Sequence, residues 1–261
     1  MIPRFGRARR DRTLAVLEGF HPLKHALRFG AELQEVICRE PDELARLAER
    51  LAPELAERMG ELARPVASEL FEQLAPLAPS TGVMAIATRP AVDPLALLRA
   101  RRDAPAILLE DPRDLGNLGA CVRVAAAADA AAVLCTGSHD PWHPDALRGG
   151  AGLHFALPVA RLEELAALEQ RSGPLLALDP EGEALDPGAL DPAALLAFGT
   201  ERHGLSEELL ERSDARIRIP MRAGVSSLNL ATSVAAVLFA WRLSPGNEPP
   251  PPERRARPEL F

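Results

Sequence analysis

Three stretches of this chain concentrate side chains that could do chemistry. The first runs Glu110-Asp-Pro-Arg-Asp-Leu-Gly-Asn-Leu-Gly-Ala-Cys-Val-Arg123. Gly116 and Gly119 permit tight turning and close approach of another backbone, Asn117 falls at the expected start of a helix, and Arg123 follows inside an otherwise alanine-rich stretch. A lone guanidinium there demands explanation, the plain one being half of an ion pair with an acid such as Asp111 or Glu201. The second stretch, Phe198-Gly-Thr-Glu-Arg-His-Gly-Leu-Ser206, offers glycines that let a ligand near the backbone. Glu201 supplies an acceptor for a hydroxyl or a partner for arginine, and Ser206 suits a helix cap. His203 could be a base, but reads first as a loop histidine on the surface or in a satisfied hydrogen bond. The third, Ile219-Pro-Met-Arg-Ala-Gly-Val-Ser-Ser-Leu-Asn229, gathers hydroxyls and an amide before a long apolar helix. Taken singly, each stretch could be an ordinary capped loop.

Their positions make them more than that. Continuous apolar runs predict strands at Ala106 to Leu109, Ala131 to Cys135, Leu175 to Leu178, Leu195 to Phe198 and Ile217 to Ile219, with a shorter one at Ala156 to Val159. Runs without alternation suit strands buried on both faces, as in a parallel sheet. Helical patterns fall between them at Leu118 to Ala128, Pro144 to Arg148, Leu162 to Gln170, Glu207 to Glu211 and Leu228 to Trp241. The last places Leu228, Ala231, Val234, Ala235, Leu238 and Trp241 on one face. All three stretches therefore sit at the carboxyl ends of strands, the edge where open α/β sheets bind ligands.

Ahead of this unit the pattern is mixed: an apolar stretch at Leu14 to Leu17, a helical patch at Pro22 to Phe29, and strands at Leu33 to Cys38 and Val83 to Thr88. Between the two strands come helices at Asp42 to Leu51 and Pro53 to Leu62, and a short one capped by Ser68. Residues 1–12 hold five arginines and one acid and read as a flexible basic arm. Residues 13–88 form a front unit, 89–103 a linker and 104–243 the main domain. Residues 244–261 form a disordered Pro/Arg-rich tail.

With 261 residues the chain can bury a real core without staples. Cys38, Cys121 and Cys135 are odd in number and widely spaced, forming neither a disulfide framework nor a metal-binding pair, which suits a reducing compartment. No apolar run has the length of a membrane span, so a cytoplasmic location is expected. His139 and His143 flank Pro141 and make a poor metal pair. The net charge of −7 is uneven: the first 105 residues are near neutral and the rest is acidic, so any contact with nucleic acid leans on the front.

In order along the chain, DPRDLGNLGACVR, GTERHGLS and IPMRAGVSSLNLATSVA resemble the three signature motifs of the SpoU/TrmH family of RNA 2′-O-ribose methyltransferases, within the SPOUT superfamily. Asn117, Gly119 and Arg123 stand at the characteristic positions of the first. LRGGAGLHFALPV resembles the segment between motifs, with Gly149-Gly150 where an alanine-serine pair is common. LEGFHPLKHALRFGA, in the front unit, more loosely resembles small L30e-like substrate-binding domains. The resemblance implies an α/β fold whose mostly parallel sheet, flanked by helices, ends in a deep trefoil knot and is preceded by an L30e-like domain. It also implies a homodimer acting on tRNA or rRNA, with S-adenosylmethionine held by Thr200, Glu201, Gly204, Ile219, Met221, Ser227, Leu228 and Asn229. Arg123 would be base or phosphate and alkoxide clamp, Asn117 would orient Arg123 or the ribose, and Glu201 would hold the active-site loops or Arg123 in register. No metal is implied. The competing expectation is a noncatalytic RNA-binding or assembly protein that keeps the knotted fold. A dinucleotide-binding fold lacks its glycine fingerprint here.

Overall fold

The front unit opens with α1 (Ile2–Ala8), β1 (Leu14–Glu18), α2 (Phe20–Arg28), β2 (Leu33–Cys38) and α3 (Pro41–Leu51). It continues with α4 (Ala56–Leu62), β3 (Ala63–Pro65), α5 (Ser68–Glu72) and β4 (Val83–Thr88). Its four strands lie in the order β1-β4-β2-β3, with β4 antiparallel to both neighbours and β3 parallel to β2. After α6 (Pro94–Arg99) the chain alternates through β5 (Ala106–Leu109), α7 (Leu115–Ala127), β6 (Val133–Cys135), α8 (Pro144–Gly149) and β7 (Val159–Arg161). It ends with β8 (Leu175–Ala184), β9 (Leu195–Phe198), α9 (Glu207–Arg212), β10 (Ala215–Arg218) and α10 (Leu230–Arg242). This computed structural model describes residues 1–200 and 203–247.

The second sheet is wholly parallel, in the order β10-β8-β9-β5-β6-β7. Its central strands β5 and β9 are apolar at every position and completely buried, because helices cover both faces. On one face lie α7, α8 and α10; on the other, Leu98 of α6 and Leu209 of α9 pack with Leu108, Leu134 and Leu195. No helix among the described residues is long and apolar enough to cross a membrane.

Several expectations are corrected. Residues 2–8 form a helix, where a flexible arm is expected. Phe5 and Ala8, one turn apart, insert among Val16, Ile37, Phe71 and Met84, so two apolar residues at helical spacing outweigh the arginines around them. The expected tail lies outside the described residues from 248 on. Helix α7 begins three residues ahead of its expected start because Asp114 Oδ1 accepts the Asn117 N–H at 2.6 Å. Ser68 does not cap α5, and Leu165–Gln170 is a 3₁₀ helix. The buried face of α10 is Leu230, Val234, Val237, Leu238 and Trp241, while Leu228 precedes the helix.

Close backbone contact joins α7 to α8. A Cβ on Gly119 would lie 2.1 Å from the Ala146 carbonyl oxygen, and one on Gly149 2.7 Å from that of Gly116. The Gly149-Gly150 pair is thus explained, since larger residues would force the two helices apart. The front unit is clamped to this pair: Glu18, 4% exposed, pairs with Arg9 at 2.6 Å and Arg148 at 3.3 Å. His25 Nδ1 donates to the Ala151 carbonyl at 2.6 Å. Beneath them His154 is fully buried against Trp142, whose indole donates to Val159 at 3.2 Å. Burial pushes the His154 pKa down to about 3, outweighing the nearby Pro141 carbonyl and Asp140, which favour the charged form.

Two outcomes are expected. Gly119→Ala lowers unfolding free energy by about 1–3 kcal/mol through overpacking, whereas Gly60→Ala in α4, with nothing within 4 Å of the new Cβ, is neutral or gains up to about 1 kcal/mol. Urea melts of the three proteins measure this. For His154 the folded pKa lies below the ordinary 6.5, so the unfolded chain takes the proton first. Stability is full above pH 6.5 and falls as pH drops toward 3, with about 2 kcal/mol lost by pH 5. A flat urea-stability profile between pH 7 and 5 would contradict this.

Candidate functional site

Parallel strands deliver their following loops to one edge. The carboxyl ends of β8, β9 and β10, with the loop from Ile219 onward, enclose a cleft of about 300 Å³. Thr200, Gly204, Ile219, Met221, Ser227 and Leu228, six of the residues expected around the cofactor, line it together. Glu201 lies outside the described residues. Asn229 stands at the edge as the N-cap of α10.

The lining is half apolar slot, half polar rim. Leu178, Phe198, Ile219, Met221, Leu228 and Leu230 give faces for a flat ring; Thr200, Ser226, Ser227 and Ser233 give hydroxyls. Asp179 contributes a carboxylate, itself paired with Arg216 at 3.3 Å. This donor set fits a nucleoside carrying a positively charged side arm, the chemistry of S-adenosylmethionine. Leu178, Asp179 and Pro180 were missed from sequence, although they follow an expected strand at the same carboxyl edge.

The loop after β9 is held closed. Thr200 and Gly204 exchange backbone hydrogen bonds at 3.2 and 3.0 Å, with Gly204 at φ +65°. A Cβ on Gly199 would lie 2.1 Å from the Gly204 backbone, so glycine is required there. Glu110 ties this loop to the first motif, since its carboxylate accepts the Ser206 N–H at 2.7 Å and the Ser206 hydroxyl at 2.5 Å. Ser206 in turn caps α9. His203 is exposed and contributes only its backbone N–H, to Thr200 Oγ1 at 3.3 Å.

The first and third motifs meet through their amides. Asn229 Oδ1 accepts the N–H groups of Ala231 and Thr232 at 3.0 and 3.3 Å, which leaves Nδ2 to donate to Asn117 Oδ1 at 3.1 Å. Asn117 thus stands beside the loop that borders the cleft.

Arg123 is not brought into that cleft. It projects, exposed, into a second cavity of about 670 Å³ between α7, α8 and α2, where it meets His21, Lys24 and Arg148. The pairing with Asp111 does not form, because Asp111 pairs with Arg113 at 2.8 Å. The His21 pKa is lowered by burial and by the charges of Lys24 and Arg123. That of Lys24 is lowered by burial and by Arg28 and Arg123, against the pull of Glu54. His143 caps α8 through Nδ1. Among the described residues no group of three or more His, Cys, Asp or Glu side chains could hold a metal. All three cysteines are buried.

Residues 104–239, just over half of the chain, match the profile of the SpoU rRNA Methylase family. An uncharacterized tRNA/rRNA methyltransferase of Mycobacterium tuberculosis is 36% identical over 168 residues, 60% of this chain and 58% of that one. The chain therefore spans little more than half the length of this relative. A 23S rRNA (uridine(2479)-2′-O)-methyltransferase of Streptomyces viridochromogenes is 28% identical over 246 residues, 88% of this chain and 84% of that one. Among solved structures, the SpoU methyltransferase AviRb of the same organism, in complex with AdoMet, superposes with a TM-score of 0.72 at 24% identity, over 91% of this chain and 96% of that one. This likeness supports the common fold.

Substitutions at Asn229 separate its two tasks. Asn229→Ala loses the cap and about 1 kcal/mol of unfolding free energy. Asn229→Asp keeps the capping oxygen but cannot donate to Asn117, so its thermal melt stays near the wild type while amide hydrogen exchange quickens in the loop 219–229. Unchanged exchange in Asn229→Asp would show that the bond to Asn117 does not order the loop.

Proposed function

The chain belongs to the SpoU rRNA methylase family, and on that premise we propose that it methylates a ribose 2′-hydroxyl of RNA using S-adenosylmethionine. Ribosomal RNA is the favoured substrate over tRNA. The observation that carries this reading is the convergence of six expected cofactor residues, from the second and third motifs, on one cleft. The ribosomal target is favoured by relatives that match most of the chain and whose names specify 23S rRNA.

When bound, the cofactor supplies an electrophilic methyl group. The protein must hold a ribose hydroxyl in line with it, and such positioning alone can account for most of the acceleration. Thr200, Gly204, Ile219, Met221, Ser227 and Leu228 hold the nucleoside, with Glu201 and Asn229 completing the set. Asn117 orients the ribose, held by Asn229. Arg123 offers donors and no acceptor, so it clamps phosphate and stabilises the alkoxide as the hydroxyl proton leaves, in preference to acting as a base.

The same reading takes residues 104–243 as the methyltransferase domain, with the segment leading into α10 threaded as a deep trefoil knot. Residues 13–88 form an L30e-like substrate-binding domain, with 89–103 as linker. The enzyme works in the cytoplasm as a homodimer whose contact uses the outer side of α10, where Phe239 and Leu243 are 38% and 70% exposed.

The test is transfer of labelled methyl from S-adenosylmethionine to bulk ribosomal RNA and to tRNA, followed by nucleoside analysis. Label is expected in a 2′-O-methyl nucleoside of ribosomal RNA. Arg123→Ala lowers kcat by about a hundredfold or more, and Arg123→Lys recovers part of it, because an ammonium keeps the charge but not the fork. No transfer to either RNA by a protein that binds S-adenosylmethionine would refute the reading.

A further inference from the structure

The cavity that receives Arg123 is built from both units, and its chemistry differs from that of the cofactor cleft. The β1–α2 turn and α2 bring His21 and Lys24, α7 brings Arg123 and α8 brings Arg148. In a chain of net charge −7 this local excess of cations does not follow from composition. Lys24 is the only lysine of the sequence.

Acids near this cavity are already engaged. Glu18 is shared by Arg9 and Arg148, Asp145 pairs with Arg148, and Glu54 pairs with Arg28 while also attracting Lys24. His25 spends Nδ1 on the Ala151 carbonyl. Arg123 makes no ion pair among the described residues. The cations consequently repel one another, and the lowered pKa values of His21 and Lys24 register that repulsion beside the effect of burial. An anion in the cavity would relieve it.

Size and rim select among anions. At about 670 Å³ the cavity is more than twice the volume of the cofactor cleft, far more than one free phosphate needs. Leu77, 72% exposed, stands on its rim and offers an apolar surface to an unstacked base. Since α7 also carries Asn117, six residues or about 9 Å along the helix from Arg123, whatever fills the cavity is in register with the site.

We propose that α2 completes the active site in the same chain: His21 and Lys24, with Arg123 and Arg148, form a phosphate clamp that holds the RNA backbone flanking the target ribose. This rests on the RNA-methyltransferase reading. Lys24 and His21 are positioning residues, acting on the polymer and not on the methyl group.

The experiment uses the full chain and a fluorescein-labelled RNA stem-loop, followed by anisotropy across a KCl series, together with methyl transfer to ribosomal RNA. Lys24→Gln is expected to weaken binding severalfold and to lower the slope of log affinity against log salt by about 1, the signature of one lost phosphate contact. In methyl transfer the loss appears as a raised KM for RNA, while affinity for S-adenosylmethionine, measured by calorimetry, is unchanged. Lys24→Arg restores both affinity and slope, which a merely structural defect would not allow. If wild type transfers methyl but Lys24→Gln keeps the wild-type affinity, slope and KM, the clamp is wrong and the enzyme reading stands. If wild type binds the stem-loop with a Lys24-dependent slope but transfers no methyl to ribosomal RNA or tRNA, the enzyme reading fails and the cationic RNA site stands. If wild type binds no RNA, the clamp falls.

Discussion

One side chain fixes how the motifs meet. The amide of Asn229 has its oxygen committed to two N–H groups at the start of α10, and this decides which way its nitrogen points. The donor then faces Asn117, in the first turn of α7. A helix cap, ordinarily a local matter worth about 1 kcal/mol, here couples segments 112 residues apart. Because α10 and α7 also pack side by side, the bond is held between two rigid elements. The loop 219–229 must span from β10 at the sheet edge back to that point, and its course along the strand ends gives the cleft its outer wall.

Close packing extends that precision to the front unit. Gly119, Gly149 and Gly150 let α7 and α8 approach until backbone touches backbone, so α8 cannot shift without moving the helix that carries Asn117 and Arg123. The front unit bears on the same place. A Cβ on Gly152 would strike Pro22 of α2 at 2.6 Å, and Glu18 binds Arg148 of α8 and Arg9 just after α1. Breaking one partner from so buried a carboxylate strands a charge, which costs far more than the pair contributes. The front unit is therefore positioned relative to Arg123 by contacts that resist small displacement.

Much of this architecture could be read from the chain. Strands β5 and β9 coincide with their apolar runs, because a strand covered on both faces has nothing but apolar residues to show; β2 and β4 also keep their expected bounds. Strand β3 has no such run: Ala63, Arg64 and Pro65 are held by pairing with β2, a tertiary fact with no local trace. Helix α1 was hidden by its charge, since the decisive residues are only Phe5 and Ala8. The motif loops declared the wall of the cleft through Thr200, Gly204 and the 219–228 segment. They did not declare Asp179, which reads as part of an ordinary turn until the sheet order sets β8 beside β9 and β10. Nor could the sequence put Lys24 beside Arg123, a juxtaposition that depends on docking one unit against another.

That juxtaposition bears on what a guanidinium can do here. Neighbouring cations disfavour every protonated group, but an arginine yields its proton far less readily than a lysine or histidine. In this cavity burial, and after it the repulsion of neighbouring cations, moves the His21 and Lys24 pKa values down. On the proposed reading, an RNA phosphate entering the cavity would offset the repulsion among these cations. Arg123 would then face an oxygen that gains negative charge as the hydroxyl proton leaves and gives it up as the bond to the methyl group forms, so the interaction is stronger while the proton is being lost than in the neutral ground state. The same cations that make the empty cavity unfavourable would thus supply both the hold on the backbone and the stabilisation of the alkoxide.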